Sequence, residues 1–335
     1  MQYTRLGNTG LTVSRLALGM MTYGTPQWRA WVLDEAASRP LVRKAVDLGF
    51  NFFDTADVYS AGESEVLTGR FVREFCRRDE VVVATKAFHA VQRDSGAPVA
   101  PNQWGLSRKR LFHAVDDSLK RLGLDYIDLY QIHRFDHRTP VEETMEALHD
   151  IVRSGRVRYL GASSMWAWQF AKMQETARRH GWTPFVSMQN HYNLAYREEE
   201  REMIPLCRDQ GVALIPWSPL ARGFLAGNRK VGDAAGSGAT SRAATDDLAQ
   251  GYYYRPSDFD TVDRLAAMAS ARSISPATLA YAWLQHRPGI TAPIIGVSKL
   301  YQLDDAVKAL DVTLTSDDMA SLEAGYQPHP VLGHT

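Results

Sequence analysis

Four side chains able to give, take or polarise a proton stand at the ends of short apolar runs. NFFDTADVY (residues 51–59) passes from Phe52 and Phe53 to Asp54 and reaches Tyr59 five residues later. VVVATK (81–86) ends on Lys86, and YIDLYQIH (126–133) ends on His133. A tyrosine, with a reference pKa of about 10, exchanges protons poorly at neutral pH. A neighbouring ammonium favours the phenolate, and Lys86 suits that part. A buried ammonium in turn needs a carboxylate, for which Asp54 is the candidate. A histidine can donate a hydrogen bond to a carbonyl oxygen and orient it, which gives His133 a place. Together they make a proton donor for a developing oxyanion, with no nucleophile triad and no metal spacing. Each also has a bland reading, as a helix cap, a solvated lysine or a structural histidine. Their convergence at one mouth is what argues for chemistry.

Positioning them requires parallel strands that end on one side. Apolar runs predict strands over 16–19, 50–54, 81–85, 127–132, 157–161, 185–189, 213–217 and 292–295. Amphipathic spacing predicts helices over 38–48, 107–122, 141–152, 168–179, 199–210, 259–271, 276–285, 303–310 and 315–324. Gly49, Gly123, Gly155, Gly181 and Gly211 each follow a helical pattern, where a left-handed stop is needed. Eight apolar strands alternating with helices fit a closed α/β (β/α)8 TIM barrel, whose ligands bind at the C-terminal strand ends. A doubly wound open sheet competes, but no G-x-G-x-x-G follows the first strand. Two short runs around Gly-Asn-Thr-Gly (7–10) predict an N-terminal β-hairpin, and the helices near the end are extra C-terminal ones. The Gly-, Ala- and Ser-rich stretch 221–256 interrupts the rhythm and is expected to be a long cofactor-side loop, either an ordered lid or a plain insertion. The tail YQPHPVLGHT is expected to lie over the surface or the mouth.

Composition narrows the partners. The chain has 335 residues, 45% of them hydrophobic and 23% charged, and 38 basic residues balance 38 acidic ones. That balance argues against nucleic acid or an anionic membrane as the main partner, and no run of about 18 apolar residues exists. The N-terminus carries no apolar stretch of signal-peptide length, and two distant cysteines, Cys76 and Cys207, give no disulfide framework, so a cytoplasmic setting is expected. Oligomeric state, monomer or homo-oligomer, is open.

DTADVY, VVVATK, QIHR, GASS, SMQNHYN, IPWSPLARG and IIGVS, in this order on successive strands, resemble the aldo-keto reductase superfamily. The likeness spans nearly the whole chain, implying one domain over 1–335. It is nearest to the bacterial branch of aryl-alcohol-dehydrogenase-like enzymes and relatives of the potassium-channel β-subunit. The resemblance implies reduction of aldehydes or ketones with NADPH, with Tyr59 as general acid, Lys86 and Asp54 tuning it, and His133 orienting the substrate. It further implies cofactor contacts from Gly19, Met20, Met21 and Asp54, and from Ser163, Ser164 and Gln189 at the nicotinamide carboxamide. Trp217 would stack on the nicotinamide, Ser218, Pro219, Leu220, Arg222 and Gly223 would hold the diphosphate, and Gly296, Ser298, Lys299, Gln302 and Asp305 the adenosine end.

Three positions depart from the family pattern. Ser164 stands where many relatives have asparagine, Trp217 where many have tyrosine, and Ser298 where many have an arginine that pairs with the 2′-phosphate. Lys299 is then the nearest cation, a point charge rather than a bidentate fork, so NADPH is expected with NADH second. A cofactor-sensing regulatory subunit is the first alternative function, and a barrel isomerase or lyase for sugar phosphates the second. Trp28, Trp31 and Trp104 are expected either to line an apolar substrate pocket or to pack as ordinary aromatics. Arg197–Arg201, REEER, reads as a solvated first helical turn.

Overall fold

The computed structural model describes residues 1–91, 98–227 and 246–334. Half of the expected long loop 221–256, including 231–244, therefore lies outside the described residues. Strands β1 (Tyr3–Arg5) and β2 (Thr12–Ser14) pair antiparallel as the hairpin, with Tyr3 opposite Ser14. Eight parallel strands follow: β3 (Ala17–Gly19), β4 (Phe52–Asp54), β5 (Val82–Ala87), β6 (Ile127–Ile132), β7 (Val157–Ser163), β8 (Phe185–Gln189), β9 (Ala213–Leu214) and β10 (Ile294–Ile295). They lie in sequence order, with β10 returning to β3. The remaining seam, between the β9 and β10 segments, is closed where Thr291 N donates to Leu214 O at 2.8 Å and Ile294 N to Pro216 O at 2.9 Å. This is the (β/α)8 barrel, closed by short backbone bonds rather than by a long ladder.

Period-two alternation decides what fills it. Phe52, Val82, Ala84, Leu129, Ala213 and Ala292 form an interior cluster with Leu6 and Val13 of the hairpin, which close the floor. Outward residues such as Phe53, Val83, Tyr130 and Leu160 join the apolar faces of the helices in a larger cluster. One residue further along the inward faces, polar side chains replace apolar ones: Asp54 after Phe52, Lys86 after Ala84, Gln131 after Leu129. The barrel is thus a greasy plug at one end and a polar mouth at the other.

The helices are α1 (Glu35–Asp47), α2 (Glu63–Phe75), α3 (Arg108–Leu122), α4 (Val141–Arg153), α5 (Ala167–His180), α6 (Met203–Asp209), α7 (Asp247–Tyr252), α8 (Pro256–Ala271), α9 (Pro276–His286), α10 (Leu300–Lys308) and α11 (Ser316–Glu323). Several differ from the sequence reading. Helix α1 starts at Glu35 rather than 38, because Asp34 caps it by accepting from Ala37 N. Helix α2 was not anticipated, although Leu67, Phe71 and Val72 give it an apolar face. Helix α6 begins at Met203 rather than 199, since REEER folds as a separate 3-10 turn. The stretch 221–256 is not wholly irregular, as its ends form a 3-10 segment (Ala221–Ala226) and α7.

Candidate active site

Asp54 ends β4 and Lys86 lies near the end of β5, so pairing of these neighbours brings their inward side chains together. Lys86 Nζ donates to Asp54 Oδ2 at 2.6 Å and to Thr55 O at 2.8 Å, and lies 3.4 Å from the Tyr59 hydroxyl. Lys86 is wholly buried and Asp54 nearly so. Burial pushes the ammonium towards neutrality, but the Asp54 carboxylate and the Tyr59 oxygen outweigh it and hold the Lys86 pKa above its ordinary value. The other Asp54 oxygen accepts from Gln131 Nε2 and from Gln189 Nε2, each at 2.9 Å. Gln131 was missed in the sequence, yet strict alternation from Leu129 places it on the inward face. Gly161 lets these amides in: a Cβ there would stand 2.9 Å from the Gln131 stem and 2.5 Å from the Ser187 hydroxyl.

Tyr59 reaches the site on a tight turn. Lys86 O accepts from Asp57 N, and buried Arg110 on α3 donates to Asp57 Oδ2 at 3.0 Å. Ser60 and Ala61 take left-handed φ angles of 50° and 52°, which let the chain turn from Tyr59 directly into α2. Burial, aided by Glu65 and opposed by Arg110, raises the Asp57 pKa to about 7.

His133 follows β6, its N–H donating to Ala87 O at 3.0 Å. Its ring meets the Tyr59 ring edge-on at 5.8 Å and the His89 ring at 5.1 Å. Burial first, then the positive charges of Arg134 and Lys86, hold the His133 pKa well below the ordinary histidine range, so the ring is neutral at physiological pH. Its buried Nδ1 has no partner among the described residues. Trp28 lies 6.3 Å from Tyr59 and 6.4 Å from Trp31, whereas Trp104 packs on Phe88 at 4.5 Å. Trp28 is therefore beside the phenol, while Trp104 belongs to the rim packing.

The residues assigned to cofactor lie along the rest of the mouth. Ser163 Oγ donates to Gln189 O at 2.8 Å, and Ser164 Oγ accepts from Trp217 Nε1 at 2.9 Å. Gln189's amide nitrogen is turned inward to Asp54 and Gln131, leaving its oxygen as the group able to meet a carboxamide. The Trp217 ring stacks on His191 at 4.2 Å, and His191 stacks on Tyr196 at 4.1 Å, a backing not foreseen in the sequence. Gly19 lies in close contact with β10, where a Cβ would meet Ile294 at 2.9 Å, and Met20 and Met21 open the 3-10 turn that follows.

The segment after Trp217 is unusual in its backbone. Ser218, Ala221, Arg222 and Gly223 all have positive φ, at 55°, 49°, 58° and 94°. Runs of left-handed residues turn successive N–H groups towards one concavity, a geometry that suits anions. Pro219 and Leu220 lie inside this run. Buried Arg222 donates from Nε to Asp246 Oδ2 at 2.7 Å, while its Nη2 is buried without a hydrogen-bond partner among the described residues. An orphaned guanidinium nitrogen at a backbone nest fits a diphosphate. Farther round, Gly296, Ser298 and Lys299 are exposed, and Gln302 Oε1 accepts from the backbone N–H groups of Ser298 and Lys299. Gln302 thus shapes the entrance to α10, and the Asp305 carbonyl accepts from Thr278.

REEER is not a solvated turn. Glu198 and Glu199 are buried and anchor the C-terminal tail: Glu198 Oε1 accepts from the Tyr326 hydroxyl and His329 N, and Glu199 Oε1 meets His334 Nε2 at 2.9 Å. The tail therefore passes beside the mouth, and a Cβ at Gly333 would stand 3.3 Å from the Trp217 ring.

Comparison with known proteins gives the family. The chain is 45% identical to an aldo-keto reductase of Fusarium vanettenii, over 99% of this chain and 93% of the relative. It is 44% identical to a candidate aryl-alcohol dehydrogenase of Schizosaccharomyces pombe, covering 99% of this chain and 97% of the relative. Versiconal hemiacetal acetate reductase of Aspergillus parasiticus is also 44% identical, with 99% and 98% covered. These relatives are fungal, whereas the sequence resemblance pointed to a bacterial branch. Residues 15–327 match the profile described as the Aldo/keto reductase family, and the chain belongs to that family, whose reductase-named members support an oxidoreductase acting on carbonyls.

Proposed function

We propose that the protein reduces aldehydes or ketones to alcohols with NADPH, Tyr59 delivering the proton. The observation that carries this reading is the Lys86 ammonium, 2.6 Å from Asp54 and 3.4 Å from the Tyr59 hydroxyl. When bound, NADPH supplies the hydride. Neutral His133 donates a hydrogen bond to the carbonyl oxygen and aims it at Tyr59. As the oxygen gains negative charge, Tyr59 transfers its proton, and the adjacent ammonium stabilises the phenolate left behind. Asp54 keeps Lys86 charged in its buried position, and Gln131 and Gln189 keep Asp54 oriented. The indole of Trp217, backed by His191 and Tyr196, offers a face to a nicotinamide. The nest at 218–223 and the unpaired Arg222 nitrogen would take the diphosphate, and Lys299 the 2′-phosphate. The tryptophan and histidine rings beside Tyr59 favour substrates with apolar or aromatic bulk. We further propose that residues 1–335 act as one domain, with a cytoplasmic site of action.

Loss of NADPH absorbance with 4-nitrobenzaldehyde tests the reading. Turnover that requires the aldehyde is expected. Tight NADPH binding with no turnover across aldehydes and ketones would overturn it and leave a cofactor sensor as the better account.

A further inference from the structure

The charges at the mouth do not balance. Lys86 faces Asp54, Arg110 faces Asp57 at 3.0 Å, and Arg222 faces Asp246 at 2.7 Å. The histidines there add nothing, since burial pushes His89, His133 and His191 below the ordinary range. Arg134 differs from Lys86, Arg110 and Arg222. It follows His133 at the end of β6, is half-buried, and makes no ion pair among the described residues. Its Nη1 donates to the carbonyl oxygen of His133 at 2.5 Å, which holds the guanidinium over the strand end. Its charge acts on groups from both sides of the mouth, Tyr59 on one and Tyr252 and His191 on the other.

A partly desolvated guanidinium without a counter-ion is costly to keep. Its planar fork of N–H donors matches a carboxylate in two parallel hydrogen bonds. The rings nearest Tyr59, those of Trp28, His133 and, beyond it, His89, make the same space aromatic. We propose that Arg134 receives a carboxylate of the carbonyl substrate, so that aromatic aldehydes bearing a ring carboxylate are preferred over neutral ones. This deepens the reductase reading and rests on it.

The test compares 3- and 4-carboxybenzaldehyde with their methyl esters, which keep ring and aldehyde but lose the charge. The expected result is that kcat/KM favours at least one acid over its ester, and that Arg134→Met erases this ratio. Loss of a charge-assisted pair lowers it about 10- to 100-fold. Arg134→Lys, which keeps charge but not the fork, falls between and stands in if Arg134→Met does not fold. Equal kcat/KM for acids and esters in the wild type, or a ratio unmoved by either variant, overturns the proposal. So does a variant that weakens NADPH itself, which would assign Arg134 to the cofactor. If no aldehyde is reduced, the reductase reading fails on its own. Benzoate binding to the NADPH-loaded protein, followed by tryptophan fluorescence, then decides Arg134: tighter binding by wild type than by the variants supports it, and equal binding overturns it.

Discussion

The hydroxyl of Tyr59 lies 3.4 Å from the ammonium of Lys86, although they reach the mouth on different structures, a turn after β4 and strand β5. If that pair is the proton donor and its tuner, Tyr59→Phe should keep the ring but lose the proton. General acid catalysis contributes about 10²–10⁴-fold, and kcat is expected to fall in that range while NADPH still quenches tryptophan fluorescence. Wild-type rates in the variant would place the acid elsewhere.

Asp54 and Lys86 also bear on stability. Removing one partner of a buried pair leaves the other charge uncompensated, at a cost of about 3–5 kcal/mol. Asp54→Asn is therefore expected to lower the denaturation midpoint markedly. The double variant Asp54→Asn/Lys86→Met should recover part of that loss without recovering activity. Urea melts of wild type and both variants measure this, and a double variant no more stable than the single one would contradict it.

Asp57 should make folding stability depend on pH. Its folded pKa is raised from 3.8 to about 7, chiefly by burial. The folded chain holds a proton that the unfolded chain releases, so this contribution is complete below about pH 3.8 and is lost as pH rises towards 7. Asp57→Asn, which still offers Arg110 an acceptor, is expected to become more stable relative to wild type between pH 4 and 7. Thermal melts across that range that run parallel for the two proteins would remove Asp57 as the cause.

Cofactor preference is expected to depend on Lys299. It is exposed at the start of α10, and Ser298 beside it carries no charge. Lys299→Ala should weaken NADPH more than NADH in fluorescence titrations. Equal losses for both would move the 2′-phosphate to another group.

Asp54, Lys86 and His133 were legible in the sequence because each closes an apolar run, and a parallel strand that stops at a polar residue can only expose it at the mouth. The same period of two carried the signal for Gln131, two residues before His133. The barrel itself was legible because eight such runs alternate with helical patterns. Which way the 51–59 turn brings Tyr59 depends on Arg110, distant in sequence, reaching Asp57 from α3. The burial of Glu198 and Glu199 depends on tail residues about 130 positions away, so local composition read them as solvated. The stack of Tyr196, His191 and Trp217, and the absence of a counter-ion for Arg134 among the described residues, are likewise long-range facts. Hydrophobic periodicity acts between neighbours in the chain and determined the elements. Charge pairing and ring stacking act between elements, and only the closed barrel decided them.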